Sequence, residues 1–294
     1  MTVIADAGST KIEWALLGKD SRCRVRLCTR GYNAAQCHTD RLMEIIREDA
    51  PALLESASGC SAVYFYGAGC IGDRCEDVAG ALRQAFSAQT AQVDSDMLAA
   101  ARALCGTEAG IACILGTGSN SCLYDGESIT ANTPPMGFIL GDEGSGASLG
   151  KSLLGKIFKR QLPDRVIKLF AQLYPEATKT EVIARVYRGE RPGAYLASFA
   201  PFLKENIAIP EIEAIVIDEF IRFFRMNILN YEGALQLPVH FIGSVAHYFA
   251  PQLHKAASVF GCTVGRIDRT PMDSLIRFHG GISLRGCFIT TVKI

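Results

Sequence analysis

Two stretches of the chain offer backbone amides and hydroxyls in a form that can cradle phosphate. Ile114-Leu115-Gly116-Thr117-Gly118-Ser119-Asn120-Ser121 runs from apolar residues into a turn of glycines and hydroxyls, and Val3-Ile4-Ala5-Asp6-Ala7-Gly8-Ser9-Thr10-Lys11 does the same near the start. Glycine lets a backbone come close to a ligand, and successive amides can form an anion-binding concavity. Either stretch alone is equally an ordinary hairpin turn, but the pair points to two similar halves serving one nucleotide. Gly8, Ser9, Thr10 and Lys11 in the first loop and Gly116, Thr117 and Gly118 in the second are therefore the candidate phosphate-binding residues. Asp6, at the end of the first apolar run, can hold a hydrated magnesium ion against phosphate oxygens, or can satisfy turn amides.

Asp94 and Asp96 stand between a short apolar segment and an alanine-rich one, where a helix begins. Capping that helix accounts for one carboxylate; the other is free to take a proton from an attacking hydroxyl, and Asp96, nearer the helix entrance, is the candidate base. Asp142 and Glu143 lie among glycines ahead of another helix and read either as capping groups or as a grip on sugar hydroxyls. Asn33 and Asn120 are loop amides, able to donate and accept, which suits a polyhydroxylated ligand as well as a plain turn. Gly243-Ser244-Val245-Ala246 follows an apolar strand and opens a helix, a turn along which a nucleotide can stack. His247 reads as a packing or surface residue of that helix.

The elements that must position these residues are legible in the hydrophobic pattern. Thr2 to Ala5, Ile12 to Leu17 and Val25 to Thr29 read as three strands in an antiparallel opening, and the spacing of Leu42, Ile45 and Ile46 predicts a helix. A strand at Ala62 to Tyr66, a helix at Asp77 to Phe86, a strand at Gln89 to Val93 and a helix at Met97 to Leu104 follow. The pattern then restarts, with strands at Ile111 to Leu115 and Ser121 to Tyr124, which sets a domain boundary near Gly106 to Gly110. Ala147 to Phe158 reads as a helix, and the chain to Leu235 as mostly helical, with Pro163, Pro192 and Pro210 at first-turn positions. Val239 to Ile242 is a strand, Val245 to Phe260 a helix, Thr263 to Ile267 a last strand and Pro271 to Phe278 a short helix. The expected domains are residues 1–106 and 107–294, the second carrying a helical insertion, with residues 279–294 unplaced.

The 294 residues are 49% hydrophobic, enough for sizeable cores. Lysine plus arginine equals aspartate plus glutamate at 30 each, with no basic run, so the broad electrostatic footprint of a nucleic-acid binder is missing. The apolar runs fall short of the ~20 residues that span a bilayer, and Asp6 and Lys11 interrupt the first of them, so no membrane partner is expected and the cytoplasm is the expected location. The 11 cysteines are scattered without a Cys-x-x-Cys pair and read as reduced, packed thiols rather than ligands of a metal cluster.

Together, Asp6-Ala7-Gly8-Ser9-Thr10-Lys11, Gly116-Thr117-Gly118-Ser119-Asn120, Gly141-Asp142-Glu143-Gly144-Ser145-Gly146 and Gly243-Ser244-Val245-Ala246 resemble the N-acetylglucosamine kinase and BadF/BadG-type ATPase family, of the sugar kinase, actin and heat-shock-protein superfamily. The resemblance runs in order from residue 1 to about Phe278. It implies an α/β fold of two ribonuclease-H-like domains, the actin-like ATPase fold, with ATP, Mg2+ and an amino sugar in the cleft between them. It also implies that Gly243 and Ser244 lie near the adenosine, that Asn33, Ser119, Asn120, Gly137 and Asp142 bind the sugar, that Asp6 serves the metal and that Asp96 is the catalytic base. Where animal members carry Gly-Gly-Trp-Gly, this chain has Pro134-Pro135-Met136-Gly137, which bears on the choice between N-acetylglucosamine and N-acetylmuramic acid. The family's activator ATPases and a non-catalytic sugar or nucleotide sensor are the alternative functions. The resemblance also allows a homodimer.

Overall fold

A computed structural model describes residues 1–281, and the chain divides into two compact units. The first comprises Met1–Thr107, Gly126–Ser128 and the chain from Pro271; the second comprises Glu108–Asp125 and Ile129–Thr270.

In the first unit, β1 (Thr2–Ala7), β2 (Lys11–Leu17) and β3 (Cys23–Arg30) form an antiparallel meander, as the alternating apolar pattern predicts. After α1 (Thr39–Asp49) and α2 (Pro51–Ala57), β4 (Ala62–Gly67) returns parallel to β1. Then α3 (Asp73–Phe86) leads to β5 (Thr90–Ser95), parallel to β4, and to α4 (Asp96–Cys105). The sheet order is β3-β2-β1-β4-β5. Leu42, Ile45 and Ile46 of α1 are fully buried, and Trp14 packs against Phe65 and Phe86 while its indole N–H donates to Thr29 Oγ1 at 3.0 Å. α3 begins four residues before the apolar pattern starts, because Asp73 and Glu76 fill its first turn and complement the helix dipole.

The second unit repeats the plan. β6 (Gly110–Leu115), β7 (Ser119–Tyr124) and β8 (Ile129–Thr133) are antiparallel neighbours, and the sheet order is β10-β9-β6-β7-β8, the same arrangement as in the first unit. Between β8 and β9 lie the short α5 (Gly137–Leu140), α6 (Gly146–Phe158), α7 (Asp164–Leu173), α8 (Lys179–Arg188), α9 (Pro192–Ala197), α10 (Ala200–Glu205) and the long α11 (Pro210–Met226). Phe220, Phe223 and Phe224 of α11 are fully buried, and Phe223 and Phe224 meet Phe241 of the sheet. β9 (Val239–Ile242) then runs parallel to β6, and β10 (Val264–Asp268) parallel to β9.

The helix expected over Val245 to Phe260 is two helices, α12 (Ser244–Tyr248) and α13 (Ala250–Phe260), broken at Phe249 because Pro251 supplies no amide to continue the ladder. Pro192 and Pro210 do open helices, whereas Pro163 stands one position earlier, as the cap of α7. The last element, α14 (Met272–His279), packs on α4, β1 and β2 of the first unit, where the sequence reading ran the second domain to the end of the chain. Of the unplaced stretch 279–294, residues 282–294 lie outside the described residues, and Cys287 with them. The described cysteines are free thiols, and no helix among the described residues is long and apolar enough to cross a membrane.

Candidate active site

In the first unit, Asp6 is brought by β1 into register with Glu13 of β2 and Tyr66 of β4. Burial, reinforced by the nearby carboxylates of Glu13 and Asp96 and opposed by Lys11, pushes its carboxyl up to about 7. Glu13 is itself engaged, 2.6 Å from the Arg26 guanidinium. No group of three or more metal-ligating side chains exists among the described residues, so a magnesium ion here would rest on Asp6, water and phosphate oxygens, which suits an ion that keeps several waters and takes one or two carboxylates.

The loop after Asp6 is a tight hairpin in which the Gly8 amide donates to Lys11 O at 2.9 Å. The strand exit at Gly31 braces it from the side: Gly31 N donates to Thr10 O at 3.0 Å and Tyr32 N to Gly8 O at 3.2 Å. A Cβ on Gly31 would lie 2.4 Å from the Ser9 carbonyl carbon, so only glycine allows this approach. Asn33 is tied into the same brace, donating from Nδ2 to Ser9 Oγ at 3.1 Å and accepting at Oδ1 from Ala35 N at 3.0 Å. Ser9, Thr10 and Lys11 are exposed.

The cap of α4 is neither aspartate. Ser95 occupies that position and accepts from Leu98 N at 3.2 Å, because its short hydroxyl reaches the third amide of the helix. Asp94, on β5, accepts from Gln92 at 2.8 Å and faces Arg102 at 3.4 Å. Arg102 in turn donates to the Tyr66 hydroxyl, which also bonds His279 Nε2, each at 2.8 Å. Burial and Arg102 together hold the His279 imidazole down at about 4. Asp96 is the first helical residue, and burial raises its carboxyl above the usual range. Of the two carboxylates, Asp96 is the one that meets no side chain among the described residues; its carboxyl accepts from the amides of Met97 and of Asp96 itself.

In the second unit, the loop between β6 and β7 closes with Gly116 N donating to Gly118 O at 2.9 Å. Its carbonyls seat the start of α6: Gly146 N reaches Gly116 O at 2.8 Å and Ala147 N reaches Thr117 O at 3.0 Å. The first amides of α6 are thereby consumed, while those of Thr117 and Gly118 meet no acceptor among the described residues, the arrangement of an anion-binding concavity. Asp142 closes on the same loop, its Oδ1 accepting from Ser119 N at 3.2 Å, and a Cβ on Gly118 would stand 3.1 Å from Asp142 Oδ2. The backbone of Asp142 is left-handed, at φ 56°, a conformation uncommon for a residue with a side chain and of the kind that clusters at ligand sites. Burial pushes its carboxyl up, against the Ser119 amide.

Glu143 does not join it. Its side chain is buried and accepts from Asn227 Nδ2 at 3.3 Å, and the cap of α6 is Ser145, which accepts from Ser148 N. The capping expected of this acidic pair therefore falls to Ser145, and Glu143 belongs to the core. Gly137 starts α5 in the left-handed region with open space around it, among exposed Met136, Ile139 and Leu140. Gly243 is required by packing: at φ 121°, a Cβ there would lie 2.2 Å from Leu115 O. Ser244 and His247 are exposed, whereas Val245 and Ala246 are buried, so only the front of that turn is accessible.

Among solved structures, the chain matches a protein designated putative N-acetylglucosamine kinase from Porphyromonas gingivalis at 41% sequence identity, over 96% of this chain and 99% of that one, with a TM-score of 0.90. The chain belongs to the N-acetylglucosamine kinase family. A second protein so designated, from Chromobacterium violaceum, is 17% identical over 94% of this chain and 98% of its own, with a TM-score of 0.72. A ROK family glucokinase from Streptomyces griseus, solved with glucose and AMPPNP, is 14% identical over 96% and 97%, with a TM-score of 0.52. These two share the fold of this chain. No protein-family model and no curated protein matches the chain.

Proposed function

We propose that this member of the N-acetylglucosamine kinase family transfers the terminal phosphoryl group of ATP to a hydroxyl of an N-acetylated amino sugar, with magnesium. The observation that carries the reading is Asp96, a half-buried carboxyl at the first helical position of α4, where Ser95 and not an aspartate is the cap, and which burial raises above the usual carboxylate range. Asp96 takes the proton of the acceptor hydroxyl as that oxygen forms its bond to phosphorus, and the bond to the leaving ADP oxygen breaks with its electron pair. The amides of Thr117 and Gly118, with Gly116 setting their turn, receive phosphate oxygens, and Gly8, Ser9, Thr10 and Lys11 do so from the first hairpin. Asp6 would hold the magnesium ion, which when bound neutralises charge on the phosphates. Asn33, Asn120 and Asp142 bind sugar hydroxyls and the acetamido group, with Ser119 holding Asp142 and Gly137 bounding the sugar. Gly243 and Ser244 flank the adenosine.

N-acetylglucosamine is the first expected acceptor, supported by the designation of the 41% identical relative. N-acetylmuramic acid is the second, because Pro134-Pro135-Met136-Gly137 carries no large ring in the loop ahead of Asp142. Coupled ADP release across glucose, glucosamine, N-acetylglucosamine, N-acetylmannosamine and N-acetylmuramic acid tests the reading. Acetylated sugars should be favoured over glucose by about 1 to 3 kcal/mol, the cost of leaving buried acetamido partners unpaired. Equal efficiency with glucose removes the acetamido argument; metal-dependent ATP hydrolysis without any sugar favours an activator ATPase instead.

A further inference from the structure

Asn120 sits on β7, and the way its amide is fixed restricts what it can offer a ligand. Its Oδ1 accepts from Ser121 N at 2.9 Å and from Asn132 Nδ2 at 2.9 Å. Asn132 lies on the edge strand β8, and its Nδ2 also donates to Ser121 O at 2.6 Å. Neither amide can be turned round. Ser121 N is only a donor, so the Asn120 atom facing it must be oxygen; Ser121 O is only an acceptor, so the Asn132 atom facing it must be nitrogen. Both lone-pair directions of Asn120 Oδ1 are filled, and both Asn132 Nδ2 protons are spent. What Asn120 has left is its NH2 group, which meets no partner among the described residues.

The clamp is anchored from behind. The Tyr231 hydroxyl donates to Ser121 O at 2.8 Å and accepts from Thr133 N at 2.9 Å, which leaves the Ser121 hydroxyl, 2.8 Å away, as a donor to it. Thr133 Oγ1 continues the chain to Asn227 O at 3.2 Å. Ser121 and Tyr231 are buried, so the carbonyl that orients Asn132 is held in a fixed place.

We propose that Asn132 is a positioning residue for sugar selection: by holding Asn120 with only its NH2 outward, it makes the site demand an acceptor oxygen on the ligand at that point. The inference rests on the reading of Asn120 as a sugar-binding residue. Asn132→Asp replaces the donor with an acceptor of the same shape and sets carboxylate oxygens against Asn120 Oδ1 and Ser121 O, which pushes the Asn120 side chain off its place although Ser121 N still holds its oxygen, and opens one lone pair of Oδ1. Asn132→Ala removes the clamp without adding charge, and on an exposed edge strand it leaves the core untouched.

The experiment measures steady-state kinetics of both variants with N-acetylglucosamine and ATP, beside Asn120→Ala and the Asn120→Ala/Asn132→Asp double variant, with melting temperatures as the check on folding. Asn132→Asp should raise the sugar KM about tenfold and Asn132→Ala about threefold, with kcat and the KM for ATP within about twofold of the parent. The double variant should be no worse than Asn120→Ala alone, because a clamp with nothing to hold contributes nothing. If Asn120→Ala raises the sugar KM and both Asn132 variants leave it unchanged, the positioning role is wrong and the sugar-site reading stands. Equal losses in kcat or in the KM for ATP overturn it as well, since they mark general damage. No effect of Asn120→Ala on the sugar KM, or no sugar turnover by the parent, overturns the sugar-site reading and this inference with it.

Discussion

Asp96→Asn isolates the proposed base from the helix it begins. The amide matches the carboxylate in shape and cannot take a proton, so kcat should fall by about a hundredfold or more while the KM for ATP stays within about twofold. The structure bounds the collateral cost. Asp96 is not the cap, and the Asn side-chain oxygen can still accept from the Met97 amide, so the substitution loses mainly a charge–dipole contribution of about 0.3 to 1 kcal/mol at the helix N-terminus. That loss is opposed by relief of the burial that raises its carboxyl, and the nearby Asp6 is relieved at the same time. The melting temperature should therefore move by no more than about 2 to 4 °C, the shift for about 1 kcal/mol in a chain of this size. Ser95→Ala is the converse: it removes the hydroxyl that accepts from Leu98 N, costs about 1 kcal/mol of stability and spares kcat. ADP release at saturating ATP, magnesium and N-acetylglucosamine, read beside thermal denaturation, separates the two. Retention of more than about a tenth of parental kcat by Asp96→Asn would refute the assignment, as would an equal kcat loss in Ser95→Ala.

Four further outcomes follow from the same geometry. The Asp6 carboxyl rises from 3.8 to about 7 on folding, so the native state holds the extra proton and stability is lost as pH rises through that range; Asp6→Asn should raise the melting temperature more at pH 8 than at pH 5, with the gain shrinking further toward pH 4. Because a cation must displace that proton, magnesium should stabilise the parent more at pH 8 than at pH 6 in a thermal-shift titration, and this pH dependence should vanish in Asp6→Asn. His279 is depressed from 6.5 to about 4, so the unfolded chain binds its proton first and stability falls as pH drops through that window; His279→Asn should flatten the acid limb of the melting-temperature profile while lowering its plateau. Gly243→Ala forces a Cβ to 2.2 Å from Leu115 O at φ 121°, and calorimetry should record a loss of about 1 to 3 kcal/mol or more; an unchanged melting temperature would mean that this turn is not packed as described.

The sequence by itself determined the repeated strand pattern, because a short continuous apolar run bounded by turn residues marks a strand buried on both faces, and residues 3–5 and 12–17 are buried in this way. It also brought out the glycine and hydroxyl loops, whose residue types are dictated by backbone geometry. The polar edge strand β8 left no such trace: Ile129-Thr-Ala-Asn-Thr133 is mostly solvent-facing, so no period marks it, and Asn132 went unseen with it. Which of two adjacent carboxylates is spoken for was likewise a tertiary matter. Asp94 and Asp96 have the same chemistry and lie two residues apart, and only the presence of Ser95 at the cap and Arg102 beside Asp94 separates their roles. Glu143 and Asp142 divide in the same way, one turned to Asn227 in the core and one to the Ser119 amide. Local sequence fixes backbone propensity within a few residues, whereas the partner that claims a side chain comes from a distant part of the chain, and only the folded structure brings the two together.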